Sequence, residues 1–145
     1  MLFPVGTERD VAYLLGVLSS IPLDWVARRG VEVNLTFHIL DGLPIPRPPY
    51  ESTLRRRVEE IAGILAAVDD RYAAWAARVG VSLGGAGSHE RSDMEAELDS
   101  VVALLYGLSR EQVQHIFSTF HRGWDHTDRL ARVLANYDRW EAAAV

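Results

Sequence analysis

The sequence predicts a mainly α-helical protein: a helical bundle with one long heptad-patterned helix and a small β element at about residues 31–46. Apolar residues recur every three or four positions along most of the chain, which is the period of a helix packed on one face. One stretch alone changes to the strict alternation of a half-buried strand. The 145 residues are 48% hydrophobic and 24% charged, a composition that is typical of an ordinary globular domain.

The first elements are predicted to be helical. Thr7 to Asp10 has the pattern of a capping box, so a helix should begin near Glu8. Its apolar face comprises Leu14, Leu15, Val17, Leu18, Ile21 and Trp25. Pro22 lies inside this pattern and should kink or restart the helix, because proline removes a backbone donor. Gly30 follows two arginines and should end it.

The β element is predicted from the alternation that follows. Val31, Val33, Leu35 and Phe37 are separated by polar residues, as in a strand with one buried face. Four prolines then lie between positions 44 and 49. They predict an extended segment that cannot lie in the centre of a sheet, because proline has no amide hydrogen to donate.

The tetrapeptide Arg47-Pro48-Pro49-Tyr50 differs in one residue from the motif with which DNA amino-methyltransferases hold the target base. That motif begins with Asp, Asn or Ser, whose oxygen accepts a hydrogen bond from the amino group of the flipped base. A guanidinium has donors only. The tetrapeptide is therefore not interpreted as a methyltransferase active site, and no catalytic, cofactor-binding or metal-binding residue is predicted.

The long helix is predicted from Ser52 to about Val79, with Gly80 as its end. Its apolar residues follow one another at alternating steps of four and three, which is a heptad pattern. They are Leu54, Val58, Ile61, Leu65, Val68, Tyr72, Trp75 and Val79. Two alternatives remain open: one arm of an intramolecular helical hairpin, or a coiled coil between two chains.

The C-terminal part is predicted to be a glycine-rich loop followed by helices. The loop should cover residues 82–92. Ser92 to Glu95 and Ser109 to Gln112 both have the capping-box pattern, and Gly107 should end the first of these two helices. A last helix is expected from Thr127 to Ala142.

Composition and charge exclude several classes of function. The net charge of −5 argues against a free-standing nucleic-acid binder held mainly by a basic surface. The absence of cysteine excludes disulfides, thiolate zinc sites and a cysteine nucleophile. No leader pattern opens the sequence, and no apolar run approaches the ~20 residues of a membrane helix. The sequence therefore predicts no membrane segment and a cytoplasmic location.

Two clusters of polar residues are candidates for a site. Basic and polar side chains of the first half could contact DNA, mainly at phosphates: Arg28, Arg29, Asn34, His38, Arg47, Arg55, Arg56 and Arg57. The alternative for the last three is ordinary pairing with Glu51, Glu59 and Glu60. A metal-dependent hydrolase built on His115, His121 and Asp125 is disfavoured, because their spacing fits no tight zinc pattern.

Two stretches resemble a known family. "YLLGVLSSIPLDWVARRGVEVNLTFHILDGLPIPRP" resembles the end of the target-recognition region in large bacterial type II and IIG-like restriction–modification DNA adenine methyltransferases. "AELDSVVALLYGLSREQVQHIFSTFH" resembles the helical tail of the same enzymes. The matching positions of the first stretch are Leu14, Leu15, Gly16, Leu18, Ser19, Asp24, Trp25, Asn34, Phe37, Leu40, Leu43, Pro44 and Pro46, with Ser19 where the family usually has Asn.

The resemblance implies a division into residues 1–50, the end of a target-recognition region, and residues 51–145, a helical tail, in one compact unit. It implies a segment that is not itself an enzyme and has no cofactor of its own. S-adenosylmethionine would bind an upstream domain of the parent adenine methyltransferase. The expected partners are DNA, bound weakly, the upstream methyltransferase domain or subunit, and a second copy through the face of residues 54–79. The alternative is a helical interaction or oligomerisation module with no direct DNA contact.

Overall fold

The computed structural model describes residues 6–31 and 34–144, and these residues confirm the mainly α-helical class. They form eight α-helices and one 3₁₀ turn. In chain order these are α1 Glu8–Leu18, α2 Ile21–Gly30, α3 Phe37–Asp41, α4 Thr53–Ala66, the 3₁₀ turn Asp70–Tyr72, α5 Ala73–Val79, α6 Ser88–Leu105, α7 Arg110–Thr119 and α8 Thr127–Ala143.

Local capping signals set most helix ends. Thr7 and Ser109 form the two predicted capping boxes at the starts of α1 and α7. Pro22 lies in the first turn of α2, so the chain restarts a helix there instead of extending α1. Gly80 ends α5 with φ 85°, and Gly107 follows α6 with φ 69°, a left-handed conformation that glycine adopts at little cost.

Helix α6 is the centre of the bundle, with α4 packed on one side of it and α8 on the other. A first core cluster joins α1, α4 and α6, with Val17, Val58, Ile61 and Val101 fully buried. A second cluster joins α6, α7 and α8 around Phe117, Val113, Val133 and Tyr137. Helix α2 links the two clusters, because Ile21 belongs to the second and Leu23 to the first.

Gly16 lets α1 and α4 approach closely. A methyl group on Gly16 would lie 2.5 Å from Val58 Cγ1 and 3.3 Å from Ala62 Cβ, so only hydrogen fits between the helices. The glycine of the "LLG" motif is thus explained by packing.

The predicted β element at residues 31–46 is not observed in the part of it that the structure describes. Residues 37–41 form α3, whose N-cap Thr36 accepts a hydrogen bond from the amide of Ile39, and residues 42–50 are irregular. Glu32 and Val33 lie outside the described residues. The alternation was a weak signal because a strand needs a partner strand, whereas the Thr36 cap is satisfied locally.

The predicted single helix from Ser52 to Val79 is also not observed, because it is broken after Ala66. Asp69 accepts a hydrogen bond from the amide of Arg71 and starts the 3₁₀ turn. Helix α5 then folds back on α4, where a Cβ on Gly63 would come within 3.1 Å of both Val79 and Val81. The heptad spacing therefore continues across two elements that pack on each other, as in the intramolecular alternative.

The start of α6 was predicted four residues too late. The helix begins at Ser88, and Ser92 lies inside it, where its hydroxyl donates to the carbonyl of Ser88. The last helix is confirmed within one residue. Among the described residues no single helix is long and apolar enough to cross a membrane; α1 and α2 reach that length and composition only together, and they are bent by 69°.

Candidate functional site

The segment from Leu43 to Tyr50, here called the proline segment, crosses the ends of three helices. Side chains from these helices donate to every second proline carbonyl. Tyr13 of α1 donates to Pro46 at 2.8 Å, Tyr106 at the end of α6 to Pro44 at 2.7 Å, and Arg55 of α4 to Pro48 at 3.5 Å. A segment that cannot pair as a strand thus has its carbonyl groups satisfied by side chains.

Tyr50 closes the segment on a charged cluster. Its hydroxyl donates to Asp10 Oδ1 at 2.8 Å, and the Arg55 guanidinium lies between two rings, 4.3 Å from that of Tyr50 and 4.5 Å from that of Tyr13. Arg55 also pairs with Asp10 and Glu59. Tyr50 is therefore part of the fold; its position after the prolines is not accidental, as the sequence interpretation assumed.

Burial and charge shift the ionisation of this cluster. Burial raises the pKa of the Tyr13 hydroxyl to about 12, against the opposing charge of Arg55. Burial also opposes ionisation of Asp10, but hydrogen bonds from Thr7 and Tyr50 and the charge of Arg55 outweigh it and lower its pKa. At neutral pH Asp10 is an anion and Tyr13 a hydrogen-bond donor, which is the combination that the contacts require.

A cavity of about 510 Å³ lies between α1 and the proline segment. Its walls are mostly apolar and aromatic, with Asp41 and Arg47 as charged members. The arrangement contains no nucleophile with an adjacent base, so it is suited to packing and binding and not to catalysis. Among the described residues no group of three histidine, aspartate or glutamate side chains is placed to hold a metal ion.

The candidate DNA contacts lie in separate places. Arg28 and Arg29 are exposed at the end of α2. Asn34, His38 and Arg47 are exposed around α3 and on the proline segment.

The arginine triplet of α4 divides into three different environments. Arg55 is only 7% exposed and paired as described, so the prediction that it contacts DNA must be revised. Arg57 is half-buried and pairs with Glu60 and Glu97. Arg56 is exposed. The alternative of pairing within α4 therefore holds for Arg55 with Glu59 and for Arg57 with Glu60.

A second buried carboxylate organises the other end of α4. Glu97 accepts from Arg57 Nε and Nη2, from Arg139 Nη2 and from Trp140 Nε1, all within 3.0 Å. Burial opposes its ionisation, but these donors, with Arg57 first, outweigh burial and lower its pKa. Glu97 thus ties α4, α6 and α8 together.

The sequence interpretation missed Tyr13, Tyr106 and Asp10 as contacts of the proline segment. It treated tyrosines only as apolar helix positions and Asp10 only as a cap. The available signal was the proline-dense segment itself, whose carbonyls need donors because it cannot join a sheet.

Comparison with known protein families, with characterised proteins and with solved structures finds no match.

Proposed function

We propose that this chain is the non-catalytic C-terminal segment of a restriction–modification DNA adenine methyltransferase. In this role it fixes the end of the target-recognition region to a helical tail and contributes contacts to DNA. The basis is the resemblance of two stretches of the sequence, together with where those stretches lie in the fold.

One observation supports the proposal most. The two stretches that carry the resemblance meet at the proline segment, because Tyr13 belongs to the first and Tyr106 to the second, and both donate to its carbonyls. Residues that are far apart in the sequence thereby hold the segment that would end the target-recognition region. This is the geometry expected of a joint between two parts of a larger enzyme.

A second observation supports a scaffolding role. Leu35 and Phe37 are 56% and 87% exposed, and both flank the joint. Exposed neighbouring apolar side chains are typical of surfaces that another protein part covers. In the proposed parent, that part would be the upstream methyltransferase domain or the rest of the target-recognition region.

The DNA role is tested by titrating the 145-residue chain against a fluorescent random duplex at several salt concentrations. We expect micromolar or weaker binding that falls steeply with salt, because the contacts would be mainly to phosphates. Absence of binding at the lowest salt, with the chain folded, would remove DNA contact from the proposal. S-adenosylmethionine should not bind this chain, and calorimetry measures that directly.

The alternative is an interaction module without DNA contact, and the exposure of Phe37 favours it equally. Self-association through residues 54–79 stays a prediction, although Val58 and Ile61 of that face are buried in the chain's own core. Val68 and Tyr72 remain exposed there. Sedimentation that shows a dimer, lost in a Val68→Asp, Tyr72→Ser variant of unchanged helicity, would support this alternative.

A further inference from the structure

We propose that the end of α2 and the turn between α7 and α8 form one nucleic-acid-binding surface, in which Arg28, Arg29 and Arg122 contact the phosphates of duplex DNA. This surface, called the α2–α7 surface below, comprises Trp25, Arg28, Arg29, His115, Phe120, His121 and Arg122. The inference rests on the proposed function and deepens it, because it brings in a part of the tail that carried no predicted contact.

Trp25 fixes the first half of the α2–α7 surface. Its indole Nε1 donates to Thr119 Oγ1 at 2.9 Å, and the ring of His115 meets it edge-on at 6.2 Å. The guanidinium of Arg29 lies over the same indole, 3.8 Å from the ring centre. A guanidinium stacked on a fixed ring is already ordered, so less entropy is lost when its N–H groups bind an oxygen.

Phe120 fixes the second half in the same way. The guanidinium of Arg28 lies 4.4 Å from the centre of its ring. Trp124 supports Phe120 from another side, with ring centres 5.3 Å apart and a steep angle of 64°. Two consecutive arginines of α2 are thus each held on an aromatic ring, one of which belongs to α7 or its C-cap.

The turn after α7 places a third arginine beside them. The amide of Trp124 donates to the carbonyl of His121 at 3.2 Å, and Gly123 takes φ 80°, a value that favours glycine. His121 and Arg122 are exposed on this turn. They line, with Phe120 and Trp124, an open depression of about 320 Å³, which is a concave site beside the ring that carries Arg28.

The charge of the α2–α7 surface is positive although the whole chain is acidic. Three arginines face two carboxylates, those of Asp24 and Asp125. Asp24 pairs with Arg28 at 3.3 Å, but both side chains are nearly half exposed, and such a pair is easily replaced. Asp125 accepts the amide of Thr127 at 3.1 Å. A local excess of cations on an acidic chain is the expected form of a limited phosphate-binding area.

Arginine density and aromatic support favour nucleic acid over an acidic protein segment. Planar guanidinium groups match phosphate oxygens in pairs, and His115, His121 and Thr119 add polar groups that can contact the sugar–phosphate backbone. The exposed aromatic edges can also pack on sugars or on an unpaired base.

The test compares two triple variants of the full chain. R28Q/R29Q/R122Q removes the three arginines of the α2–α7 surface. R71Q/R78Q/R91Q removes the same charge from three exposed arginines elsewhere, which pair with Asp69, Glu8 and Glu95. Each protein is titrated against a fluorescent random duplex between about 50 and 200 mM salt, where each phosphate contact contributes about 0.9 to the slope of log K against log salt.

We expect the first variant to lose at least about tenfold in affinity at the lowest salt and about 2 to 3 units of slope. The control should lose far less. If both variants bind like the unmodified chain, the α2–α7 surface is wrong while the proposed DNA role stands. If the unmodified chain does not bind, the DNA role itself fails, and this inference with it.

Two further measurements protect the result. Arg122→Gln changes one exposed turn residue, so it should leave helicity and thermal unfolding unchanged and still lower the slope by about 1, whereas Arg78→Gln should not. A poly-glutamate peptide serves as competitor. If it displaces the duplex at equal charge concentration, the surface binds acidic polymers in general, and recognition of nucleic acid is refuted.

Discussion

Asp99 shows how a single buried charge affects this fold. Its side chain is fully buried. Oδ1 accepts the amide of Ile21, the first residue of α2, at 2.8 Å, and Oδ2 accepts from Arg129 Nε and Nη2. Burial raises the pKa of Asp99 to about 6, against the charge and hydrogen bonds of Arg129. The ion pair fixes α2 on α6 at a cost in stability, as buried pairs often do.

Asp99 predicts an unusual pH dependence. Between the ordinary value of 3.8 and about 6, the folded state binds more protons at this group than the unfolded state, so its contribution to stability falls as the pH rises. The stability of Asp99→Asn relative to the unmodified protein should therefore improve by up to about 3 kcal/mol between pH 4 and pH 7. Urea unfolding at several pH values measures this. A difference that is independent of pH would contradict the assignment.

Tyr13 and Tyr106 predict the strength of the hold on the proline segment. Replacing either with phenylalanine keeps the ring but removes the hydroxyl donor to Pro46 or Pro44, so each change should cost about 1 kcal/mol of unfolding free energy. Tyr72→Phe is the matched control, because Tyr72 is 40% exposed and lies away from the segment. Equal effects at all three positions, measured by denaturant unfolding, would rule out the proposed contacts.

Elements differ in how far the sequence determines them. The ends of α1, α5 and α7 could be predicted because Thr7, Gly80 and Ser109 act through their nearest neighbours. The break at Ala67 could not, because the heptad spacing is the same whether the apolar residues form one rod or two segments packed at Gly63. The prediction of a strand near Leu35 failed for a similar reason: alternation does not show whether a partner strand exists.

The crossing of α1 and α4 gives a prediction at the scale of elements. Gly16→Ala should destabilise the fold by about 1–3 kcal/mol, because the new methyl would overlap Val58 and force the helices apart. Gly87→Ala is the control, since nothing lies within 4 Å of a Cβ there and its φ is −60°. Thermal unfolding of both variants checks this, and a stabilised Gly16→Ala protein would disprove the close approach.

The whole molecule is an acidic helical bundle with its free arginines at two edges, the end of α2 and the proline segment. The sequence located Arg28, Arg29 and Arg47, because charge clusters can be seen without a structure. It could not show that Arg55 is enclosed by carboxylates and tyrosines, or that Arg122 lies near α2. Those facts depend on how distant helices pack, which the residues near each arginine do not encode.

The exposed apolar edge gives a prediction for the assembled protein. If Leu35 and Phe37 meet the upstream methyltransferase part of the parent, Phe37→Ser should weaken association of the separately produced parts at least about tenfold, as for an anchor residue at an interface. Leu83→Ser, at another exposed apolar position, should have no effect. Pull-down or calorimetry with both purified parts measures this, and equal association of the two variants would refute docking at α3.

The central claim is that this chain serves a DNA adenine methyltransferase whose catalytic part is encoded upstream. The most direct measurement is methyl transfer to duplex DNA by that upstream part, with and without residues 1–145 attached. We expect sequence-specific adenine methylation only when the chain is attached, and none from the chain alone. Undiminished specific methylation without the chain, or an upstream region that encodes no methyltransferase, would contradict the claim.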